Sequence, residues 1–139
     1  ESFERAKITA EMYLTGQGGY HPKNEDGICN VTGSRMYKPI FAPLAFAEGL
    51  KLRRIKRQML HAAKNGLTFH LWWHPHNVGK RAEEHMDQLE EIFRWYAELN
   101  KKYGMQSLNM GEAAEAAALT RKNIAEKYGL QNKNTSEEI

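Results

Sequence analysis

A single cysteine, Cys29, in 139 residues rules out an internal disulfide and a cysteine-based zinc site. No run of about 18 apolar residues occurs, which excludes a membrane-spanning helix. The first residues, ESFERAKITAEMYLTG, lack both the apolar core of a signal peptide and an initiator methionine. The expectation is a cytoplasmic chain, processed or belonging to a longer polypeptide. Charge of one sign is also scarce. Twenty Lys plus Arg face 17 Asp plus Glu, and the net +3 is too small to point to nucleic acid. No internal repeat or low-complexity block interrupts the chain. What is present is an ordinary globular composition, 41% hydrophobic and 27% charged, which supports a packed core. The length suits one domain or a piece of a larger one.

Periodicity divides the chain. Phe3, Ala6, Ala10, Tyr13 and Leu14 predict a helix over residues 3–14. GQGGYHPKNEDG, residues 16–27, holds four glycines and a proline and reads as a surface loop. ICNV is a short strand, and TGSRMYKPIFAPL is irregular or a strand with a turn. A helix is predicted over 45–64, with Leu52, Ile55, Met59 and Ala62 or Ala63 as its apolar stripe and Asn65-Gly66 as its stop. Leu67–Trp73 is β-branched and aromatic, too short for a helix between Gly66 and Pro75, and predicts a buried strand. A long helix follows over 81–103, with a stripe of Ala82, Met86, Leu89, Phe93, Tyr96 and Tyr103, ended by Gly104. MQSLN is a further strand candidate. Asn109, with Glu112 three residues on, predicts an N-capped helix. Residues 129–139 form a polar tail expected to be disordered.

Alternating strand and helix over the last two-thirds implies parallel strands joined by crossover helices. The predicted fold class is α/β: a partial (β/α)-barrel-like unit of two or three parallel strands with three to four helices. So small a sheet leaves an edge and much of a face bare. The chain is therefore expected to be part of a larger α/β unit, and to self-associate through exposed sheet surface. The predicted divisions are residues 1–25 (helix and Gly-rich loop), 26–128 (the α/β portion) and 129–139 (the tail).

TFHLWWHPHN, residues 68–77, concentrates three histidines and two tryptophans. Strand alternation points Leu67, Phe69, Leu71 and Trp73 one way and Thr68, His70, Trp72 and His74 the other. Three readings compete. His70 and His76 can simply satisfy local hydrogen bonds while the tryptophans fill core. His70, His74 and His76 can bind metal, but residues i and i+4 on a strand lie roughly 13 Å apart and cannot share one ion. That spacing serves a metal on a helix. His74 can act as an acid or base, since an ordinary histidine exchanges protons at neutral pH. It falls at the carboxyl end of the strand, where α/β folds gather catalytic groups, and Pro75 ends the strand there. Trp72, two residues earlier, would wall the site.

The stretch NGLTFHLWWHPHNVGKRAEEHMDQLEEIFRWYAELNKKYGMQSLNMGEAAE resembles the C-terminal end of the polysaccharide deacetylase family, in its bacterial surface-polysaccharide branch. DGICNVTGSRMYKP resembles the preceding segment, where that branch commonly has a proline at the place of Thr32 or Gly33. The resemblance runs over residues 26–115 and is strongest over 65–112. It implies a distorted (β/α)-barrel hydrolase that removes the acetyl group of an N-acetylated sugar. It also implies a divalent metal, zinc above all, held by an aspartate and two histidines. A second aspartate then serves as base and a last-motif histidine as proton donor to the amine. His74 falls on that histidine. Trp72 stands where the family usually has a pocket leucine, and His76 and Asn77 join it as implied substrate-binding residues. The paired aspartates and the arginine motif are absent from this sequence, and no HxxxH pair lies on a predicted helix, since His70 and His74 have that spacing on a predicted strand. The expected partners are a carbohydrate substrate and the upstream part of the same protein. The chain alone is expected to hold no metal and to be inactive.

The alternative reading is a non-catalytic binding domain. KLRRIKR, residues 51–57, would present five cations outward to an anionic polymer, with Leu52 and Ile55 inward. A solvated helix face explains the same pattern. No aromatics interleave the cations to stack nucleic-acid bases. The acidic residues Glu83, Glu84, Asp87, Glu90 and Glu91 predict an exposed face with Lys or Arg partners. His61 and His85 show no partner pattern, and Ser34 has no histidine at nucleophile spacing.

Overall fold

Three long amphipathic or capped segments become helices, and short extended pieces link them. The computed structural model describes residues 18–25, 28–40, 46 and 48–128. In chain order these form β1 (Lys23–Glu25), β2 (Ile28–Asn30), β3 (Arg35–Met36), α1 (Glu48–Asn65), β4 (Leu71–Trp72), the one-turn α2 (Pro75–Val78), a 3-10 turn (Gly79–Arg81), α3 (Ala82–Tyr103) and α4 (Met110–Tyr128). The fold is mixed α/β and mostly helical, with a parallel sheet of two strands. The helix predicted over 3–14 and the tail 129–139 lie outside the described residues. Among the described residues no helix is long and apolar enough to cross a membrane. The chain divides into two compact units, Glu1–His21 with Thr32–Ser107 and Pro22–Val31 with Leu108–Ile139.

The first unit is a strand–helix–strand turn followed by a covering helix. β3 and β4 pair in parallel, Arg35 beside Leu71 and Met36 beside Trp72, with α1 as the crossover. The ladder continues past both strands: Tyr37 N–H donates to Trp72 O at 2.8 Å, and Ser34 and Arg35 N–H donate to His70 O at 3.0 and 3.1 Å. Upstream, Thr68 and Tyr20 exchange both backbone hydrogen bonds, at 2.9 and 3.0 Å. The strand predicted over 67–73 is therefore shorter than its composition suggests. Its partner β3 is confined between Gly33 and Pro39, and proline has no N–H for a ladder.

α1 buries Leu52, Ile55, Gln58, Met59 and Ala62, the stripe predicted from the sequence with one glutamine added. It ends at Gly66 (φ +61°), where Leu67 N–H reaches back to Ala62 O at 2.9 Å. α3 ends in the same manner at Gly104 (φ +69°), whose N–H meets Asn100 O at 2.9 Å. The buried face of α3 corrects the prediction. It carries His85, Leu89, Ile92 and Leu99, with Trp95, Tyr96 and Tyr103 beside them. Met86 and Phe93, placed in the predicted stripe, are 53% and 57% exposed. Positions 85, 89, 92, 96, 99 and 103 alternate spacings of four and three without a gap; the predicted stripe shares Leu89, Tyr96 and Tyr103 with this set and misses His85, Ile92 and Leu99. Leu52, Ile55 and Met59 join Leu89, Ile92, Leu99, Tyr37 and Val78 in one core. Each such aliphatic side chain contributes about 1.5–3 kcal/mol when fully buried.

The second unit holds a hairpin and α4. β1 and β2 pair antiparallel, Glu25 opposite Ile28 and Lys23 opposite Asn30. The segment read as a glycine-rich loop thus contains a strand, and Asp26-Gly27 in the sequence is the hairpin signal that outweighs its glycines. MQSLN is not a strand: residues 104–109 lack regular structure. Among the described residues no strand pairs with this segment, and Asn100 Nδ2 donates to Met105 O at 2.8 Å. α4 opens with the predicted capping box. Asn109 Oδ1 accepts from Glu112 N–H at 3.0 Å, and Asn109 N–H donates to Glu112 Oε2 at 2.8 Å.

Candidate functional site

The carboxyl end of β4 presents the aromatic cluster, and glycine makes it possible. Trp72 is half-buried, with its indole laid over Gly33. A Cβ at Gly33 would sit 2.6 Å from Trp72 Nε1, so only glycine admits the ring there. His74 follows in extended backbone (φ −96°, ψ 133°) and caps α2, with Pro75 as its first residue. Asn77 N–H closes the turn on His74 O at 3.0 Å. Proline at this point stops the ladder, starts the turn, and leaves His74 exposed at the rim.

The rings are ordered with respect to one another. His74 stands edge-on to Trp72, centroids 5.5 Å apart and planes at 84°. His76 stacks on His74 at 5.3 Å with planes only 16° apart. His76 is exposed and Asn77 half-buried. The four residues singled out in the sequence, Trp72, His74, His76 and Asn77, therefore lie on one short stretch, three of them in ring contact. His70 is apart in role. Its N–H donates to Ser34 Oγ at 3.0 Å, and its buried Nδ1 has no hydrogen-bond partner among the described residues.

This arrangement brings the rings into contact without converging their nitrogens. Imidazole lone pairs lie in the ring plane, so two nearly parallel stacked rings aim their nitrogens side by side and not at a common point. Among the described residues no group of three or more His, Cys, Asp or Glu side chains gathers to hold an ion. The residues present do not fit the metal that the resemblance implies.

Beneath the cluster lies a buried polar network that the sequence reading passed over. Tyr37 is fully buried at the end of β3 and meets Trp73 edge-on at 6.2 Å. Its hydroxyl donates to Gln88 Oε1 at 2.7 Å and lies 2.9 Å from His85 Nδ1. With its proton committed to Gln88, the Tyr37 oxygen accepts from His85 Nδ1–H. His85 Nε2 is then the acceptor for Ile40 N–H at 3.4 Å, which fixes a neutral imidazole. Gln88 Nε2 passes the chain to Glu48 at 3.1 Å, and Glu48 pairs with Lys51. Lys51 Nζ lies 4.6 Å over the Tyr37 ring and donates to Lys38 O at 3.1 Å. Burial lowers the His85 pKa, Lys51 and Arg81 add to that, and Glu48 and Glu84 oppose it. Burial, helped by Glu48, pushes Tyr37 up to about 12. The network ties β3, α1 and α3 together behind the strand ends that present Trp72 and His74. Its signal in the sequence was the place of His85 on the inner face of α3. His61, also read as unpartnered, has its Nδ1 2.9 Å from Gly18 O.

The basic run divides in the same way. Leu52 and Ile55 point inward as predicted. Lys51 is engaged as above, and Lys56 pairs with Glu91 at 2.8 Å. The acidic face of α3 has the predicted partners, Arg81 on Glu84 at 2.7 Å and Arg94 on Glu90 at 2.6 Å. No family model, no curated protein and no solved structure matches the chain.

Proposed function

We propose that this chain is the C-terminal part of a metal-dependent polysaccharide deacetylase acting in bacterial surface-polysaccharide biosynthesis. The observation that carries the reading is His74, exposed at the carboxyl end of a parallel pair, its ring edge-on to Trp72. On this reading β3–α1–β4 is one turn of a larger (β/α) barrel, and His74 faces the cleft that the rest of the barrel closes. Water adds to the acetyl carbonyl, the C–N bond breaks, and acetate leaves. His74 gives its proton to the departing sugar nitrogen, which leaves as the free amine. Trp72 walls the acetyl pocket, and His76 and Asn77 contact the sugar. The donors for a divalent ion, zinc on this reading, belong to the rest of the polypeptide.

The test is acetate release from an N-acetylated polysaccharide by the longer polypeptide that contains these residues. His74→Ala should lower kcat by about 10²–10⁴, the usual contribution of general acid–base catalysis. Activity unchanged by His74→Ala would remove the assignment. The 139-residue chain alone should release no acetate.

A further inference from the structure

Parallel pairing sets the carboxyl ends of β3 and β4 side by side, so the chain leaves β3 next to the rim that carries His74. The departing segment is Lys38-Pro39-Ile40, which forms no regular structure. Two hydrogen bonds tie it to the helices. Lys51 Nζ of α1 donates to Lys38 O at 3.1 Å. Ile40 N–H donates to His85 Nε2 of α3 at 3.4 Å.

The second tether depends on one protonation state. A backbone N–H only donates, so Nε2 has to be bare. The other ring nitrogen is already occupied: Nδ1 lies 2.9 Å from the Tyr37 hydroxyl, whose own proton goes to Gln88. A proton arriving on buried His85 therefore has one place to go. On Nε2 it meets the Ile40 N–H donor to donor, and that bond is lost. The charges facing the ring extend the effect. Lys51 of α1 and Arg81 of the 3-10 turn repel an imidazolium, while Glu48 of α1 and Glu84 of α3 attract it. Tyr37 of β3 stays protonated. Burial and the two cations prevail, and the ring titrates below an ordinary histidine. Lys51 is also the residue that holds Lys38 O, so the repulsion reaches the first tether too.

One proton on His85 thus acts on both attachments of the segment. We infer that Lys38–Ile40 is an acid-released latch: neutral His85 holds it against α3, and protonated His85 frees it beside the rim of His74. The helices keep their packing, because Leu52, Ile55, Leu89 and Ile92 meet through apolar contacts that no proton alters. The latch is independent of the deacetylase reading. It acts on this face of the fold whatever chemistry the face performs.

The test is an NMR titration of the isotope-labelled full chain from about pH 7.5 to about pH 4.5. The Ile40 amide should shift with the midpoint of the His85 ring and lose its protection from exchange. The amides of Ile55 and Ile92, in the core, should keep theirs. His85→Gln should hold the Ile40 signal still over the same range, which separates the latch from the exposed His74 and His76. Ile40→Pro has no N–H to give. It should raise the His85 midpoint by roughly half to one pH unit, since protonation then breaks no bond. An Ile40 amide that ignores the His85 titration, or that moves only as Ile55 and Ile92 unfold, would overturn the inference. So would equal movement in His85→Gln, or a His85 midpoint indifferent to Ile40→Pro. The titration of the unaltered chain decides the matter even where neither variant folds.

Discussion

At the scale of single residues, the site depends on two positions with no chemistry of their own. Gly33 admits the Trp72 ring, and Pro75 ends the ladder so that His74 is exposed. Gly33→Ala would set a methyl where the indole lies. The ring has to turn, and its edge contact with His74 is lost. Overpacking of this kind costs about 1–3 kcal/mol. The near-ultraviolet circular dichroism of the tryptophans should change while the far-ultraviolet spectrum stays. An unchanged near-ultraviolet spectrum would show that Trp72 does not rest on Gly33. His85 makes a second prediction, from its neutral, doubly bonded ring. An unfolded histidine titrates near 6.5, and folded His85 titrates lower. Between those values the unfolded chain binds a proton that the folded chain does not. Stability contributed by His85 is thus complete above about pH 6.5 and falls as pH drops towards the lower folded value. Urea unfolding from about pH 7.5 down to about pH 5 should show this loss, and His85→Gln should flatten it. An equal slope in the variant would place the titration on another group.

At the scale of elements, apolar periodicity was read well where nothing polar entered the stripe. α1 has Leu52, Ile55, Met59 and Ala62 buried as expected, and both long-helix stops fall on glycine. The Asn109–Glu112 box was equally legible, since a cap is a local pattern. α3 was legible in part. Leu89, Tyr96 and Tyr103 were read correctly, but a histidine on the inner face left Met86 and Phe93 one position off, because the Tyr37 hydroxyl that satisfies His85 lies 48 residues away in sequence. The strand extents failed for a related reason. Pairing depends on a partner of matching length, and neither β3 nor the segment after Gly104 supplied one. The site followed the same rule. The cluster at Trp72, His74 and His76 is contiguous and visible, whereas Gly33 under Trp72 and Tyr37 behind Trp73 are long-range contacts. The corrected face of α3 is directly testable. Ile92→Ala removes a side chain that is 2% exposed and should cost about 2–4 kcal/mol, while Phe93→Ala, its 57% exposed neighbour, should change stability by less than about 0.5 kcal/mol. Denaturant melts of the two variants decide it. A larger loss for Phe93→Ala would restore the stripe through Met86 and Phe93.

At the scale of the whole molecule, burial is unevenly shared. Every fully buried residue among those described, from Tyr37 to Leu99, lies in the unit that holds β3, α1, β4 and α3. α4 has no buried residue among its described positions, and Met110 and Leu119 are exposed on it. Helix stability in water comes mainly from a packed face, since isolated helices of this length are marginal. α4 has its capping box and an alanine-rich centre, but little apolar burial to hold it. The amides of α1 and α3 should therefore exchange only through global unfolding, and those of α4 through local opening at far lower free energy. Native-state hydrogen exchange read by peptide should show protection in Leu52–Ala62 and Leu89–Leu99 that falls together with denaturant. Ala113–Thr120 should exchange at least about tenfold faster, with little dependence on denaturant. Equal protection and equal denaturant dependence in the three segments would mean that α4 belongs to the same cooperative unit as the core. The placement of the proposed site follows from the same distribution. His74 sits at the rim of the protected unit, at the end of a strand backed by Tyr37 and His85. A side chain at that place is held by packed elements and still meets solvent.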